Sequence, residues 1–260
     1  MDEALPGGRM SAGVVRRGTT VRRPMGPWSG SVHAFLRHLE SAGFAGAPRF
    51  LGMDGDREIL SYLPGDVPVD PEWQPGRGLR LTEMQRSPES LAATARLLRE
   101  LHEAATGFMP TAREFRFHPY PARPGEVMAH GDLGPWNTVY RDGAPIAFID
   151  WDACRPMERL VDLALAAWAF VPLGPRRRLA EAGFDPVPDI GERLRLFVDT
   201  YGGIDRDSVF GALQEAVLLQ ANRVRYWELG PADTAAALEF HAAELRWLGG
   251  AAERLQSALR

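Results

Sequence analysis

Apolar residues recur at helical spacing along much of this chain. Val32, Phe35, Leu36 and Leu39 keep an i, i+3, i+4, i+7 stripe that ends at Gly43. Similar patterns predict helices over residues 87–106, 159–170, 189–201, 205–229 and 231–259, with Gly249-Gly250 a candidate break in the last. Short extended segments instead fill residues 14–23 and 49–63. The pattern predicts an α+β chain, with a β-rich part over 1–62 and a mostly helical part over 63–260.

Residues 127–152, VMAHGDLGPWNTVYRDGAPIAFIDWD, contain a predicted β-hairpin. Asp142-Gly143, between two apolar runs, is the strongest short-range signal for such a turn. Asp132 and Asn137 lie at the start of the first hairpin strand, and Asp150 ends the second. Because antiparallel strands bring those two ends together, we expect the three oxygen-bearing side chains to occupy one small volume.

Two carboxylates and an amide in one place suit phosphoryl transfer. One carboxylate can orient and deprotonate an attacking hydroxyl, while the other carboxylate and the amide oxygen hold magnesium on nucleotide phosphates. His130, Asp132 and Asn137 keep the His-x-Asp-x-x-x-x-Asn spacing of the protein-kinase catalytic loop, with Gly131 where protein kinases carry arginine. We interpret His130 as a structural residue that hydrogen-bonds the loop backbone.

HGDLGPWN at residues 130–137, followed by IDWD at 149–152, resembles the aminoglycoside phosphotransferase family of small-molecule kinases. The resemblance implies a bilobal protein-kinase-like fold, ATP and Mg²⁺ as cofactors, Asp132 as the base, and Asn137 and Asp150 as metal ligands. It also implies that Asp162 supports the active-site loop, although an ordinary carboxylate in the first turn of a helix is an equally good interpretation of this residue. In this family the segment matching Ser61, Tyr62 and Leu63 links the lobes and hydrogen-bonds adenine through its backbone. The resemblance is specific only from His130 to Asp162.

The residues expected to bind the nucleotide phosphates differ from those of that family. The chain contains no lysine, and Val21-Arg22-Arg23 lies where a Val-x-Lys is expected. Arg23 therefore takes the position of the phosphate-binding lysine, with Arg22 as second choice. Alignment of the first helix puts Val32 where the partner glutamate belongs, so we expect Arg23 to lack a carboxylate partner. Gly7-Gly8 is the candidate remnant of the glycine-rich phosphate loop.

The acceptor is expected to be a small molecule with a hydroxyl group, such as an aminoglycoside or a related antibiotic. A polycationic acceptor would need acidic groups in the helical part, where seven are available, although such residues more often form solvated helix faces and we prefer that interpretation: Asp199, Asp205, Asp207, Glu228, Asp233, Glu239 and Glu244. Two other functions remain open. One is a nucleotide-binding pseudokinase-like regulator, and the other is a metal-dependent phosphohydrolase.

Composition narrows the partners. The formal net charge of −4 over 260 residues gives no basis for nucleic-acid binding. The single cysteine, Cys154, excludes an internal disulfide. No apolar run approaches the ~20 residues that span a bilayer, and the acidic start MDEALPGG is unlike a signal peptide. We therefore expect a cytoplasmic protein without membrane partners, a monomer or a simple homodimer.

Overall fold

The computed structural model describes residues 3–5, 13–69, 79–111, 114–117, 123–226 and 229–260. Gly7 and Gly8, the candidate phosphate loop, lie outside the described residues. The first part of the chain forms a five-stranded antiparallel sheet in the order β1-β2-β3-β5-β4. Its strands are β1 (Glu3–Ala4), β2 (Val15–Arg17), β3 (Thr20–Pro24), β4 (Phe50–Asp54) and β5 (Arg57–Ser61).

Helix α1 (Ser29–Ser41) connects β3 to β4 and buries the predicted apolar stripe. Val32, Phe35, Leu36 and Leu39 are all buried in the main core. Trp28 takes the N-cap position of α1, and no side chain caps the helix. The burial of this stripe therefore fixes α1 without help from a cap.

The rest of the chain is mostly helical. Its helices are α2 (Glu83–Arg86), α3 (Pro88–Ala104), α4 (Arg159–Phe170), α5 (Arg176–Glu181), α6 (Ile190–Tyr201), α7 (Arg206–Arg223) and α8 (Pro231–Leu259). The helix expected over 205–229 ends at Arg223, where a 3₁₀ turn (Val224–Tyr226) begins. Helix α8 runs unbroken through Gly249-Gly250, so the suspected break there is wrong.

Two small sheets carry the site between these parts. The predicted hairpin forms from β7 (Thr138–Arg141) and β8 (Ala144–Phe148). Its turn has φ of 51° at Asp142 and 75° at Gly143, the left-handed pair that a tight hairpin requires. The second sheet pairs β6 (Val127–Ala129) with β9 (Arg155–Met157) and was not expected.

The buried core runs through both parts. It joins side chains from α1, α3, α4, α6 and the hairpin region, including Phe35, Leu98, Phe148, Trp151 and Phe197. The first part is thus sheet-rich and the second helical, which confirms the predicted α+β fold. Within the described residues, no helix is both long and apolar enough to cross a membrane.

Candidate active site

The loop between β6 and β7 depends on glycine at position 131. Gly131 has φ of +74°, and a Cβ there would lie 2.6 Å from the carbonyl oxygen of Ala153. A larger residue would therefore meet both backbone strain and a clash with fixed backbone. This close approach explains why glycine occupies the position where protein kinases carry arginine.

The hairpin brings Asp132 and Asn137 into contact. The amide nitrogen of Asn137 donates to the backbone oxygen of Asp132 at 2.9 Å and to its Oδ2 at 3.1 Å. The N–H of Ile149 donates to the carbonyl oxygen of Asn137 at 2.9 Å, so Asp150 follows directly beside them. The expected convergence of the two hairpin ends is therefore present.

Asp150 itself has a left-handed backbone, with φ of 60° and ψ of 65°. Non-glycine residues rarely adopt this conformation, which is held only where the surroundings enforce it. Here β8 ends just before Asp150 and a 3₁₀ turn (Trp151–Ala153) begins just after it. Trp151 anchors that turn, since its indole N–H donates to the carbonyl of Phe148 at 3.0 Å.

His130 is buried under the loop, with its Nε2 2.9 Å from the carbonyl oxygen of Ile149. Burial lowers the pKa of His130 below its ordinary value, so the ring is neutral and Nε2 carries the proton. His130 therefore joins the loop to the strand end that carries Asp150. This is the structural role that the sequence predicts.

Asp162 on α4 supports the same loop from below. Its Oδ1 accepts the N–H of Gly131 at 3.1 Å, and its Oδ2 lies 3.1 Å from Nε2 of His102. His102 in turn contacts the hydroxyl of Tyr201 at 2.8 Å. Burial alone would raise the pKa of Asp162, but the hydrogen bond and charge of His102 hold it below its ordinary value. A buried chain of polar groups thus fixes the position of Gly131.

Arg23 is held by carboxylates, so the expectation that it lacks such a partner is wrong. Its Nε donates to Glu58, its Nη1 to Asp150 at 2.8 Å and its Nη2 to Asp152. Glu58 lies opposite Arg23 in the β3–β5 register and is 1% exposed. The carboxylate therefore comes from the neighbouring strand and not from helix α1.

Helix α1 still takes part, through the residue after Val32. Nε2 of His33 lies 2.5 Å from Oε2 of Glu58. Burial opposes the charged form of Glu58, but the contacts with His33 and Arg23 keep the pKa of this carboxyl below its ordinary value. Glu58 is thus a buried carboxylate that joins α1 to Arg23.

Arg22 faces the other way on the same strand, as alternation requires. It pairs with Asp54 on β4, whose side chain is exposed. Among the described residues, Arg22 forms no hydrogen bond or ion pair with Asp150 or Asp152, whereas Arg23 contacts both. The structure therefore separates the two candidates and places Arg23 at the hairpin.

The segment expected to contact adenine has its first two backbone N–H groups occupied. The N–H of Ser61 donates to the carbonyl of Arg49 at 2.9 Å, and that of Tyr62 to Thr19 at 2.8 Å. The Leu63 N–H has no hydrogen-bond partner within the part of the chain that the structure describes. Among the described residues, Leu63 is thus the one of the three whose backbone N–H no other group takes.

A second arginine meets the Asp150 end of the hairpin. Arg116 donates to Oδ2 of Asp152 at 2.7 Å and lies over the Trp28 ring, with its Cζ 4.6 Å from the centroid. Burial raises the pKa of Asp152, although Arg23 and Arg116 oppose that rise. We name Arg23, Glu58, Asp150, Asp152 and Arg116 the nucleotide-side cluster.

A third arginine reaches the loop from the helical part. Nη1 of Arg223, the last residue of α7, lies 3.1 Å from Oδ1 of Asp132 and 3.0 Å from the carbonyl oxygen of Gly131. We name Arg223 and Asp132 the acceptor-side pair. Sequence reasoning missed Glu58, His33, Arg116 and Arg223, since each needs a strand register or a helix packing that no local motif encodes.

Oxygen donors suited to magnesium are present beside this cluster. The Asn137 amide nitrogen is used by Asp132, which leaves its oxygen as a candidate ligand next to Asp150. Carboxylate and amide oxygens are the donors that Mg²⁺ prefers. In the described ranges no three His, Cys, Asp or Glu side chains group as a metal site. A metal held here would therefore take a small protein donor set and complete its coordination elsewhere, as nucleotide-bound Mg²⁺ does.

Comparison with known proteins identifies a family model and a relative that match the sequence of this chain. Residues 119–197 match the model of the phosphotransferase enzyme family. The trifolitoxin immunity protein of Rhizobium leguminosarum bv. trifolii is 35% identical over 202 residues, which cover 75% of this chain and 72% of that protein.

Three solved structures of similar fold are named as small-molecule kinases or phosphotransferases. An amicoumacin kinase bound to AMP-PNP, Ca²⁺ and amicoumacin aligns with a TM-score of 0.62 at 14% identity, over 94% of this chain and 88% of the other. A choline/ethanolamine kinase family protein from Mesorhizobium loti gives 0.61 at 16%, over 100% and 92%. A macrolide 2'-phosphotransferase from Brachybacterium faecium gives 0.57 at 17%, over 87% of each chain. At these identities the likeness concerns the fold alone.

Proposed function

The chain belongs to the phosphotransferase enzyme family, and we propose that it transfers the γ-phosphoryl group of ATP to a small-molecule hydroxyl in a magnesium-dependent reaction. The contact between Asp132 and Asn137, with Asp150 returning beside them on the hairpin, is the observation that carries this proposal. Phosphoryl transfer needs positioning and charge neutralisation more than covalent chemistry. This arrangement of side chains supplies both.

Asp132 orients the acceptor and takes its proton. The Asp132 side chain is 29% exposed, so a hydroxyl group can reach it. Its two oxygens accept from Arg223 and Asn137, which fixes the direction of the carboxylate. A carboxylate oxygen can accept more than one hydrogen bond, so both contacts leave room for the acceptor hydroxyl.

Asn137 and Asp150 would hold the magnesium ion, which neutralises charge on the phosphates when bound. Arg23 adds a fixed positive charge beside Asp150, where the family lysine would stand. Burial alone would lower the pKa of Arg23, but Asp152, Glu58 and Asp150 raise it above its ordinary value, so the guanidinium keeps its charge. Glu58 then serves as the carboxylate that positions Arg23. These contacts favour a phosphate-binding site in which Arg23 and Glu58 stand in for the family's lysine and glutamate, and not a site that has lost phosphate binding.

The relatives suggest which acceptors to test. One relative is named for immunity to trifolitoxin, and two structural neighbours are named for antibiotics. We propose that the acceptor is likewise an antibiotic or toxin with a free hydroxyl group, which phosphorylation would inactivate. An aminoglycoside is one member of that class.

The test is a panel of aminoglycosides, macrolides, amicoumacin and small alcohols incubated with Mg·ATP, with mass spectrometry for a singly phosphorylated product. Asp132→Asn protein and a magnesium-free reaction are the matched controls. We expect one class of acceptor to gain a phosphate only with wild-type protein and magnesium. Nucleotide binding without ATP turnover would indicate the pseudokinase-like regulator instead. Release of free phosphate whatever acceptor is present would indicate a phosphohydrolase.

A further inference from the structure

A buried permanent cation at the end of α7 contacts the proposed base. Arg223 is 4% exposed, and its Nη1 donates to Asp132, to the Gly131 carbonyl and, at 2.9 Å, to Gln220. A guanidinium stays protonated at every physiological pH. The negative charge of Asp132 is therefore offset on the side where α7 packs against the loop.

An aromatic ring and a neutral histidine lie close to Arg223. Its Cζ lies 4.2 Å from the centroid of the Phe117 ring, and its Nε has no hydrogen-bond partner among the described residues. Asp132 is the carboxylate paired with it. Burial, followed by the charge of Arg223, lowers the pKa of nearby His241 to about 4, so that ring is neutral at pH 7.

Acidic residues that a polycationic acceptor would need lie elsewhere. Asp205 caps the start of α7 and Asp207 lies in its first turn, whereas Arg223 ends this 18-residue helix. At 1.5 Å per residue, these ends are about 27 Å apart. Both acids therefore lie too far from Asp132 to bind the same small molecule at its reacting hydroxyl.

Three other acidic residues of the helical part are instead paired with arginines. Arg206 pairs with Asp199 at 2.5 Å, Arg246 pairs with Glu239 at 2.6 Å, and buried Glu244 binds Arg178 through both oxygens. Asp233 is exposed in the first turn of α8, where a carboxylate stabilises the helix N-terminus. Glu228 lies outside the described residues. No described acid other than Asp132 is therefore placed by a contact at the acceptor-side pair.

We propose that Arg223 determines the charge class of the acceptor, so that the reacting hydroxyl belongs to a compound without positive charge near that group. The inference rests on the proposed function and narrows its acceptor. A polyamine antibiotic would bring ammonium groups towards a guanidinium whose counter-charge is already taken, and like charges in a partly desolvated site repel. A neutral or anionic hydroxyl compound meets no such repulsion.

The experiment compares kanamycin with its fully N-acetylated derivative, which keeps the hydroxyl groups and loses the charges. Calorimetry in the presence of Mg·AMP-PNP, at fixed salt, gives the dissociation constant of each compound for wild type, Arg223→Gln and Arg223→Lys. Arg225→Gln is the matched control, because Arg225 is exposed and, among the described residues, hydrogen-bonds only to Asn222. Arg223→Met replaces the glutamine variant if that variant does not fold.

We expect wild type to bind kanamycin no more tightly than the acetylated form. Removal of the charge at position 223 should favour kanamycin by about tenfold relative to wild type, while the lysine variant and Arg225→Gln keep the wild-type ratio. Tighter kanamycin binding by wild type, or an unchanged ratio in the glutamine and methionine variants, would overturn the inference. Failure of the proposed function is read separately, as absence of acceptor-dependent ATP turnover in wild type.

Discussion

Asp132, before the first strand of the β7–β8 hairpin, and Asp150, after the second, are each held by a buried arginine. The charge balance around the two carboxylates differs. In the nucleotide-side cluster, Arg23 and Arg116 face three carboxylates, Glu58, Asp150 and Asp152, which gives a formal excess of one negative charge. In the acceptor-side pair, Asp132 is the one carboxylate among the described residues that Arg223 contacts, and the charges of the two balance. Arg23 and Arg223 are each less than one-tenth exposed.

This difference matches what each end must do. A partly buried excess of negative charge is relieved by a bound cation, and the magnesium ion of the proposed reaction would supply one at the nucleotide-side cluster. A balanced pair holds a base in one orientation without attracting cations to it. Arginine therefore belongs to a negatively charged cluster beside Asp150 and to a neutral pair with Asp132.

The largest effect is expected from Asp132→Asn, which breaks the acceptor-side pair. Asparagine keeps the shape but cannot take a proton, so transfer should fall about 1000-fold, within the usual range for a lost general base. Affinity for Mg·ATP should change little, because the Asp132 side chain contacts Arg223 and Asn137 and, within the described residues, not the nucleotide-side cluster. Single-turnover kinetics and calorimetry measure the two quantities. Transfer at the wild-type rate would remove Asp132 from the mechanism.

Arg23→Ala should disrupt the nucleotide-side cluster. It leaves Glu58, Asp150 and Asp152 without their shared cation, which should lower the free energy of unfolding by about 3 kcal/mol and weaken nucleotide binding. Arg22→Ala is the matched control from the same strand. Its partner Asp54 is exposed, so its loss should cost less than about 1 kcal/mol. Urea unfolding and nucleotide titration of the two variants give the comparison, and equal effects would mean that strand alternation does not separate their roles.

Much of the site is local in sequence and was predictable for that reason. Asp132, Asn137 and Asp150 lie within 19 residues of one another. The hairpin that joins them is predicted by the Asp142-Gly143 pair at its turn. Helix α1 was predictable from its apolar stripe, and the separation of Arg22 from Arg23 from strand alternation. The backbone pattern alone settles these features.

The error at Arg23 has a physical cause. Alignment with the family places the partner carboxylate on α1, but here it is Glu58, which the antiparallel β3–β5 register brings opposite Arg23. That register depends on the length of the connection through α1 and β4, which no local pattern specifies. Arg223 was missed for a similar reason, since it lies 91 residues from Asp132 and meets it only through the packing of α7.

Glu58→Gln is expected to have an intermediate effect and tests whether the strand carboxylate replaces the family glutamate. Glutamine keeps the volume, while Arg23 retains Asp150 and Asp152 but loses a charged partner at its Nε. Loss of one charge-assisted hydrogen bond should reduce apparent nucleotide affinity or rate by about 1.5–3 kcal/mol. His33→Gln is the companion variant, since His33 contacts the other Glu58 oxygen and should show the smaller effect. If Glu58→Gln binds and turns over nucleotide as wild type does, Arg23 is positioned by the two aspartates alone.

The smallest effect concerns pH and the acceptor side. His241 has its pKa lowered from 6.5 to about 4, first by burial and then by Arg223. Because the unfolded chain binds the proton more readily, the neutral ring contributes fully to stability above pH 6.5, and this contribution is lost as the pH falls towards 4. Wild type should therefore lose on the order of 1–2 kcal/mol between pH 7 and pH 5 relative to His241→Gln, which cannot titrate.

Urea unfolding of wild type and His241→Gln at the two pH values measures that difference. Arg223→Gln should leave most of it in place, since burial is the larger cause and the charge of Arg223 the smaller. If the pH-dependent difference vanishes in Arg223→Gln, the arginine dominates the electrostatics of this region even more than its contacts imply. If His241→Gln shows the same pH dependence as wild type, His241 is solvated enough to protonate in the folded protein, and the acceptor side is less dry than its burial indicates.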